Sequence, residues 1–530
     1  IKIFIGGTEG NKITLKSHTI TIDEDGKKRY MYPNFTRTQN KNYYIRLNAD
    51  ITINYTNEDK IQELSDVFIC DIPLMVQSEH CILHDMNKTI RYQLGEHIDD
   101  YGGYFIIEGN EYSIPSYTEL ANDKCIVQTT ENGASCQASD IKIFENEEGE
   151  LVVQLTKDQS NTIPLTIMMR ALGIDTDHQI ISLCLPRQIR NEGGWGLDML
   201  NKTIEANQNI FDRTCAREYI KNNLEETISE ANLFIKQHIR APDDFIRARF
   251  LGHMVQQLLL AKKRRKITDI NNLQYLRIQS SGDFLCQIFK NIYLKKIGQF
   301  STNDNDFNLK TIECVFNDNM FEESFVEQIK TNGCRIDRYV SNIEKISILR
   351  NVSLNTDKIH CSYFGRIDII DNQLSLGCKI SSKIDSSSFI IWIWNTKELH
   401  FIPANDTVLK RLTGTGTILL NNVPLGESSD VYEAYKFARN CRRTGMIDPT
   451  IGIIFNYEEG ALYFNTTGGR ILRPLFYTEI DEESDKLILP IYKKRKEGET
   501  WDELLRGGRG VEFLDAEEEA HNAFISLTDN

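Results

Sequence analysis

The period of hydrophobic and polar positions changes several times along the chain, and each change marks an element. In "TITIDEDGKKRYMYP" the two kinds alternate and turn at Asp25-Gly26, a hairpin pattern. Residues 1–60 as a whole predict short strands and turns. Residues 66–83, "DVFICDIPLMVQSEHCIL", are nearly all apolar up to Gln77, as a buried segment would be. "DDYGGYFIIEGNEYSI" places a strand at Tyr104–Ile107 between a Gly-Gly turn and a second turn at Glu108-Gly109-Asn110. A second β-rich unit follows over 120–165, with strands near 141–144 and 151–155 joined by an acidic glycine turn.

The period then lengthens to that of helices. "PLTIMMRALG" enters after Pro164 and leaves at Gly173. Ile220, Leu224, Ile228, Ala231 and Ile235 predict an amphipathic helix over 216–240. The next helix opens at "APDDF", where Asp243 or Asp244 can cap it, and carries Phe250, Met254 and Leu258 in one stripe. A third begins at Gly282-Asp283 and buries Phe284, Leu285, Ile288, Phe289 and Ile292. Residues 300–345 are polar with weak periodicity. Strands are expected again over 364–405, among them Phe389–Trp394, "FIIWIW". "YEAYKFARNCRRTG" predicts a helix stopped by Gly445. A three-strand meander is expected next, at 451–455, 461–465 and 470–476, before a helical, acidic tail. Strands and helices segregate in this way into a multi-domain α+β protein.

Composition narrows the class. A chain of 530 residues suggests roughly three to four domains. No apolar run reaches the roughly 18 residues of a membrane span, so no membrane partner is expected. The chain opens on Ile1 with no signal-peptide pattern, and is expected to be processed or an internal fragment. A net charge of −15 argues against a small stand-alone nucleic-acid binder, though not against one module of a larger assembly. Twelve cysteines show no C-x-x-C pair and no zinc spacing, as in an intracellular protein with reduced thiols.

The candidate chemistry is sparse. "KKRRK", residues 262–266, either finishes a helix whose C-terminus favours cations or tracks phosphates through Lys262 and Arg265; on pattern alone the first reading is favoured. "GTGT" at 414–417 lacks the lysine of a phosphate loop and is a turn. In "DAEEEA" the carboxylates Asp515, Glu517, Glu518 and Glu519 point different ways on a helix, so a solvated face is expected rather than a cation site. In "FNTTGGRILRPLF", Arg470 and Arg473 sit an odd number of residues apart on a strand and need separate partners, by default salt bridges. No H-E-x-x-H or G-x-S-x-G motif is present.

Taken together and in order, the segments resemble the second-largest subunit of the multisubunit DNA-directed RNA polymerases, in its eukaryotic, archaeal and large-DNA-virus form. The resemblance rests on "IPLMVQSEHCIL", "GGYFIIEGNE", "PLTIMMRALGIDTDHQI", "FLGHMVQQLLLA", "LRIQSSGDFLCQIFK", "RRTGMIDPTIGIIFNYEEGALYFNTTGGRILRPLF" and "WDELLRGGRGVEFLDAEEE". It implies a protrusion at 1–119 and about 243–300, a lobe at 120–242, a fork at 301–405, and external domains at 406–480 and 481–530. It also implies template-directed RNA synthesis from ribonucleoside triphosphates by an assembled enzyme whose N-terminal half of one subunit this would be. DNA template, RNA product, the largest subunit and smaller subunits would be its partners. The Mg²⁺ would be held mainly by the largest subunit, and the family's zinc site would lie beyond Asn530. No residue of this chain is expected to be catalytic or to bind metal. Location would be the nucleus, or a virion or cytoplasmic factory if viral.

One departure bears on function. "IHCSYFG" keeps His360 and Gly365 at the fork's spacing, with Phe364 where the family has tryptophan, but the E-T-P-E-G element that should follow is missing. Arg350 and His360 remain the fork's expected nucleic-acid contacts. The alternative is a non-catalytic paralogue, an assembly or nucleic-acid-binding scaffold that kept the protrusion and lobe and lost fork function.

Overall fold

The computed structural model describes residues 2–7, 10–17, 19–21, 28–55, 60–130, 133–138, 141–155, 162–185, 194–223, 243–264, 267–270, 272–299, 319–336, 341–353, 379–403, 416–457, 459–480, 487–488 and 510–521. These fall into two compact units. The first holds the described residues up to Thr118 and those from Gln279 to Ser353. The second holds those from Glu119 to Ile278 and from Lys379 onward. Both mix helices and sheets, so the fold class is α+β.

In the first unit the twelve-residue strand Tyr44–Tyr55 pairs along one edge with Lys60–Pro73 and along the other with Lys2–Ile5 and Ile13–Ser17. Strict alternation sends Ala49, Ile51 and Ile53 to one face. There they meet Ile288 and Ile292 of the Ser281–Gln299 helix and Phe321 and Phe325 of the Met320–Asn332 helix. That second helix lies in the stretch where the sequence shows weak periodicity. Its signal is one short stripe, Phe321, Phe325 and Ile329, at a spacing of four. The Thr19–Thr21 and Lys28–Tyr30 strands pair as the hairpin pattern predicts; its turn lies outside the described residues.

The hairpin Phe105–Ile107/Asn110–Ser113 turns through Glu108 and Gly109, both with positive φ, 48° and 74°. Two successive left-handed residues make the tight turn that matches strand twist. A Cβ on Gly109 would meet the Arg37 carbonyl oxygen at 2.9 Å, so glycine is also required by the close approach of the chain. Cys334–Ile336 adds a third strand, and the Asn342–Leu349 helix, capped by Ser341, packs Ile348 and Leu349 beside buried Tyr104 and Ile106.

The second unit opens with a five-strand antiparallel meander, Ile126–Thr130 through Thr162–Pro164. Its apolar face carries Cys136, Ile143, Leu151 and Val153 against the wholly buried Leu165–Ala171 helix and against Ala248, Leu251 and Met254 of the long Asp244–Arg264 helix. The helix expected over 216–240 starts earlier, at Arg213, and is described to Asn223. A second five-strand sheet has the order Phe401–Pro403, Val423–Ser428, Gly416–Leu420, Ala461–Asn465, Gly452–Asn456. The Val431–Thr444 helix packs on it and ends, as predicted, at a left-handed Gly445.

Two expectations are corrected. The Phe389–Trp394 stretch is not a strand but lies inside the Ser386–Asn395 helix. The β-branched and aromatic run suggested a strand, but Asp385 caps a helix start by accepting from the Ser387 and Ser388 N–H groups, both at 3.1 Å. Phe389 and Ile393, one turn apart, fill the core. Between 379 and 403, among the described residues, only Lys379–Ile380 and Phe401–Pro403 are strands. The meander also loses its third strand. Ala461–Asn465 and Gly452–Asn456 pair, but Ile471–Phe476 leaves for a separate sheet with Lys379–Ile380 and Val511–Asp515. Gly469, at φ 81°, makes the exit, and its carbonyl accepts from the Ile278 N–H at 2.7 Å.

Candidate nucleic-acid interface and the ionic core behind it

Arg350 closes the Asn342–Leu349 helix as its C-cap residue, its N–H bonded to the Ile346 carbonyl. The helix is tied down one turn earlier. Lys345 Nζ lies 3.0 Å from Glu111 Oε2 and 3.9 Å from the centre of the buried Tyr104 ring. Arg37 completes that network with bonds to Glu111 at 2.7 Å, Glu96 at 2.8 Å and the Tyr104 hydroxyl at 2.6 Å. The backbone at Arg350 is therefore fixed by packing and charge. His360, Phe364 and Gly365 lie outside the described residues, as does Arg265.

Lys262 sits in the last turn of the Asp244–Arg264 helix, where a cation suits the helix dipole. It has a specific partner too: its Nζ is 2.5 Å from Glu145 Oε2, at the end of the Ile141–Glu145 strand. Arg350 belongs to the first unit and Lys262 to the second, so no single unit brings these two together.

The acidic tail is not a solvated face. Its carboxylates do point different ways, but each direction holds a cation. Asp515 bonds Arg470 Nη1 at 2.7 Å, and its other oxygen caps the Ala516–His521 helix by accepting from the Glu517 and Glu518 N–H groups. Glu519 takes Arg473 Nε at 2.8 Å, and Glu518 takes Arg442 Nη1 at 2.9 Å. Glu517 pairs with buried Lys124. The two arginines of "GRILRP" thus have separate partners, as their spacing requires. Arg470 also donates to the carbonyls of Thr450 at 2.6 Å and Thr467 at 3.0 Å. Glu512, three residues before Asp515 in the Val511–Asp515 strand, accepts from Arg439 Nη2 and Arg443 Nε, both at 2.6 Å. Sequence reasoning missed Glu512 and the Arg439–Arg442–Arg443 set. The signal was there in the matching of the three arginines of a basic helix end, "RNCRRTG", and the two of "GRILRP" with the five carboxylates of "VEFLDAEEE".

Burial works against the charge on Glu512, but Arg442, Arg443 and Arg439 outweigh it and hold the carboxyl at about 2. Asp515 is likewise kept below its ordinary range: burial opposes the charge, and Arg470 with the helix N–H groups prevails. These carboxylates are spent on guanidinium groups. Among the described residues no group of three or more His, Cys, Asp or Glu could hold a metal ion.

A polar cavity of about 400 Å³ runs beside the Asp244–Arg264 helix, lined among others by Lys124, His253, Gln257, Glu459 and Tyr463. His253 is 8% exposed. Burial pushes its imidazole below the usual value, Glu459 pulls it up, and Lys124 adds to the drop.

A family model described as RNA polymerase beta subunit matches residues 9–502. The chain is 27% identical to the DNA-directed RNA polymerase II subunit RPB2 of Eremothecium gossypii, over 96% of the chain and 50% of that protein. It is 22% identical to the DNA-directed RNA polymerase III subunit RPC2 of Schizosaccharomyces pombe, over 96% of the chain and 48% of that protein. To the DNA-directed RNA polymerase subunit Rpo2 of Sulfolobus acidocaldarius it is 22% identical, over 97% of the chain and 50% of that protein. The chain spans about half the length of the curated relatives it matches.

Proposed function

The chain belongs to the RNA polymerase beta subunit family, and from that premise we propose that it forms one wall of the DNA cleft in a DNA-directed RNA polymerase. The observation that carries this is a family match from residue 9 to 502, which takes in residues of both compact units. In this reading residues 1–119 and 243–300 are the protrusion, 120–242 the lobe, 301–405 the fork, and 406–480 and 481–530 the external domains. The assembled enzyme, not this chain alone, joins ribonucleoside triphosphates on a DNA template. The largest and smaller subunits are its partners, and its place is the nucleus or, for a viral source, the virion or factory.

Among the described residues none fits a resident Mg²⁺, because the carboxylates that cluster, Asp515, Glu518 and Glu519, are each bonded to an arginine. The metal is proposed to sit mainly on the largest subunit. This chain contributes binding and shape. Arg350, His360, Lys262 and Arg265 are proposed as nucleic-acid contacts, Lys262 by exchanging Glu145 for a phosphate.

The missing E-T-P-E-G element favours a second reading, a non-catalytic scaffold built from the same domains. Affinity purification through a tag on this chain separates the readings from an unrelated role. A stoichiometric largest polymerase subunit in the eluate is expected; its absence overturns the assignment to a polymerase.

A further inference from the structure

A cavity of about 420 Å³ opens in the first unit and faces four carboxylates, Glu96, Asp99, Asp100 and Glu111, with two cations, Arg37 and Lys345. Arg37 is consumed by Glu96 and Glu111, and Lys345 by Glu111 with Asp100 at 3.6 Å. Lys88 meets Asp99 only at 3.6 Å, with both side chains mostly exposed. The lining thus keeps a negative surplus. Its rim, by contrast, is apolar and open to water. Tyr101 lines the cavity yet is 70% exposed; Ile98, set between two lining residues, is 43% exposed. Ile343, one helical turn before the lining residue Ile346, is 82% exposed. One exposed ring in the lining and two exposed isoleucines within three residues of lining positions along the chain mark a surface that something covers.

We propose that this cavity docks a partner polypeptide presenting an arginine or lysine flanked by apolar side chains. The basic head enters the cavity and meets Asp99, whose side chain is 56% exposed and whose own cation, Lys88, stands off at 3.6 Å; Asp100 behind it is largely buried and bonded to the Gly102 N–H and the Tyr104 hydroxyl. The flanking side chains cover Tyr101, an exposed aromatic anchor in the lining of the kind that dominates protein interfaces. Nucleic acid does not suit the site, because the same carboxylates repel phosphate. This assigns one face of the first unit to a protein partner, and it holds whether or not the chain works in a polymerase.

The test uses the full chain and two fluorescein-labelled peptides that differ at one central position, Leu-Arg-Leu against Leu-Glu-Leu in the same polar flanks. Anisotropy is expected to show saturable binding of the arginine peptide, weakened by added salt and at least about fivefold by Tyr101→Ala or Asp99→Asn. Both substitutions fall on exposed side chains, so circular dichroism should be unchanged. Equal binding of the two peptides overturns the proposal, as does binding that ignores both substitutions or no binding at all. A wild-type dimer in sedimentation that Ile343→Asp dissolves also overturns it, by giving the face to a second copy of this chain.

Discussion

Replacing Arg470 with methionine should be among the most damaging single changes available in the second unit. The substitution keeps most of the apolar stem and removes the guanidinium. It leaves Asp515 buried without its cation, and it strips donors from the Thr450 and Thr467 carbonyls. Breaking a buried ion pair from one side costs about 3–5 kcal/mol, most of it the uncompensated charge left behind. Each orphaned carbonyl adds roughly 1 kcal/mol unless water reaches it. A loss of about 4 kcal/mol or more is expected. Asp515→Asn should cost less, because asparagine still caps the Ala516–His521 helix. The double change Arg470→Met/Asp515→Asn should cost clearly less than the sum of the two, with a coupling of roughly 1–3 kcal/mol. Urea unfolding followed by tryptophan fluorescence is the assay: Trp392, packed on Phe389 and Phe464 in the same unit, reports it. A loss under about 1 kcal/mol for Arg470→Met, or strict additivity in the double variant, refutes the claim that this pair organises the core.

Four further outcomes follow from the same geometry. Glu512, held at about 2 in the folded chain against an ordinary 4.5, contributes stability that is full above pH 4.5 and lost as pH falls toward 2; Glu512→Gln should flatten urea stability across that window, by about 3 kcal/mol between its ends. Buried His253, whose folded value is depressed, adds a loss that begins as pH falls below 6.5, where the unfolded chain takes the proton first; His253→Gln should remove that part of the slope. Lys262→Gln should lower the slope of log K against log salt for DNA binding by the assembled complex by about one, and an unchanged slope confines Lys262 to Glu145. Arg350→Ala should slow elongation on duplex template about tenfold, or about 1.4 kcal/mol of barrier, and spare a pre-opened bubble; equal rates on duplex DNA remove Arg350 from strand handling.

Most elements were legible in the sequence because their periods are clean, as in the Leu165–Ala171 helix or the Ile141–Glu145 and Leu151–Leu155 pair. What failed were inferences where a local preference and a long-range partner disagree. Phe389–Trp394 has the composition of a strand, yet the preceding Asp385 and a core that accepts Phe389 and Ile393 make it helical. The third strand of the expected meander has a strand's sequence, but its partner is Val511–Asp515, some 40 residues away in sequence. The acidic run looked solvated because nothing local neutralises it; the neutralising arginines come from the Val431–Thr444 helix and from "GRILRP". Arg470 and Arg473 were the readable clue, since a guanidinium cannot lose its charge on burial and so demands a carboxylate somewhere in the chain.

The measurement that bears most directly on the proposed function is template-dependent RNA synthesis by the complex that assembles on this chain. The tagged chain is recovered with its partners and supplied with ribonucleoside triphosphates and a DNA template. Incorporation that requires the template, and that stays with the tagged chain through gel filtration, is the predicted result. A complex that contains the largest subunit but incorporates no nucleotide on any template would contradict it and leave the scaffold reading in its place.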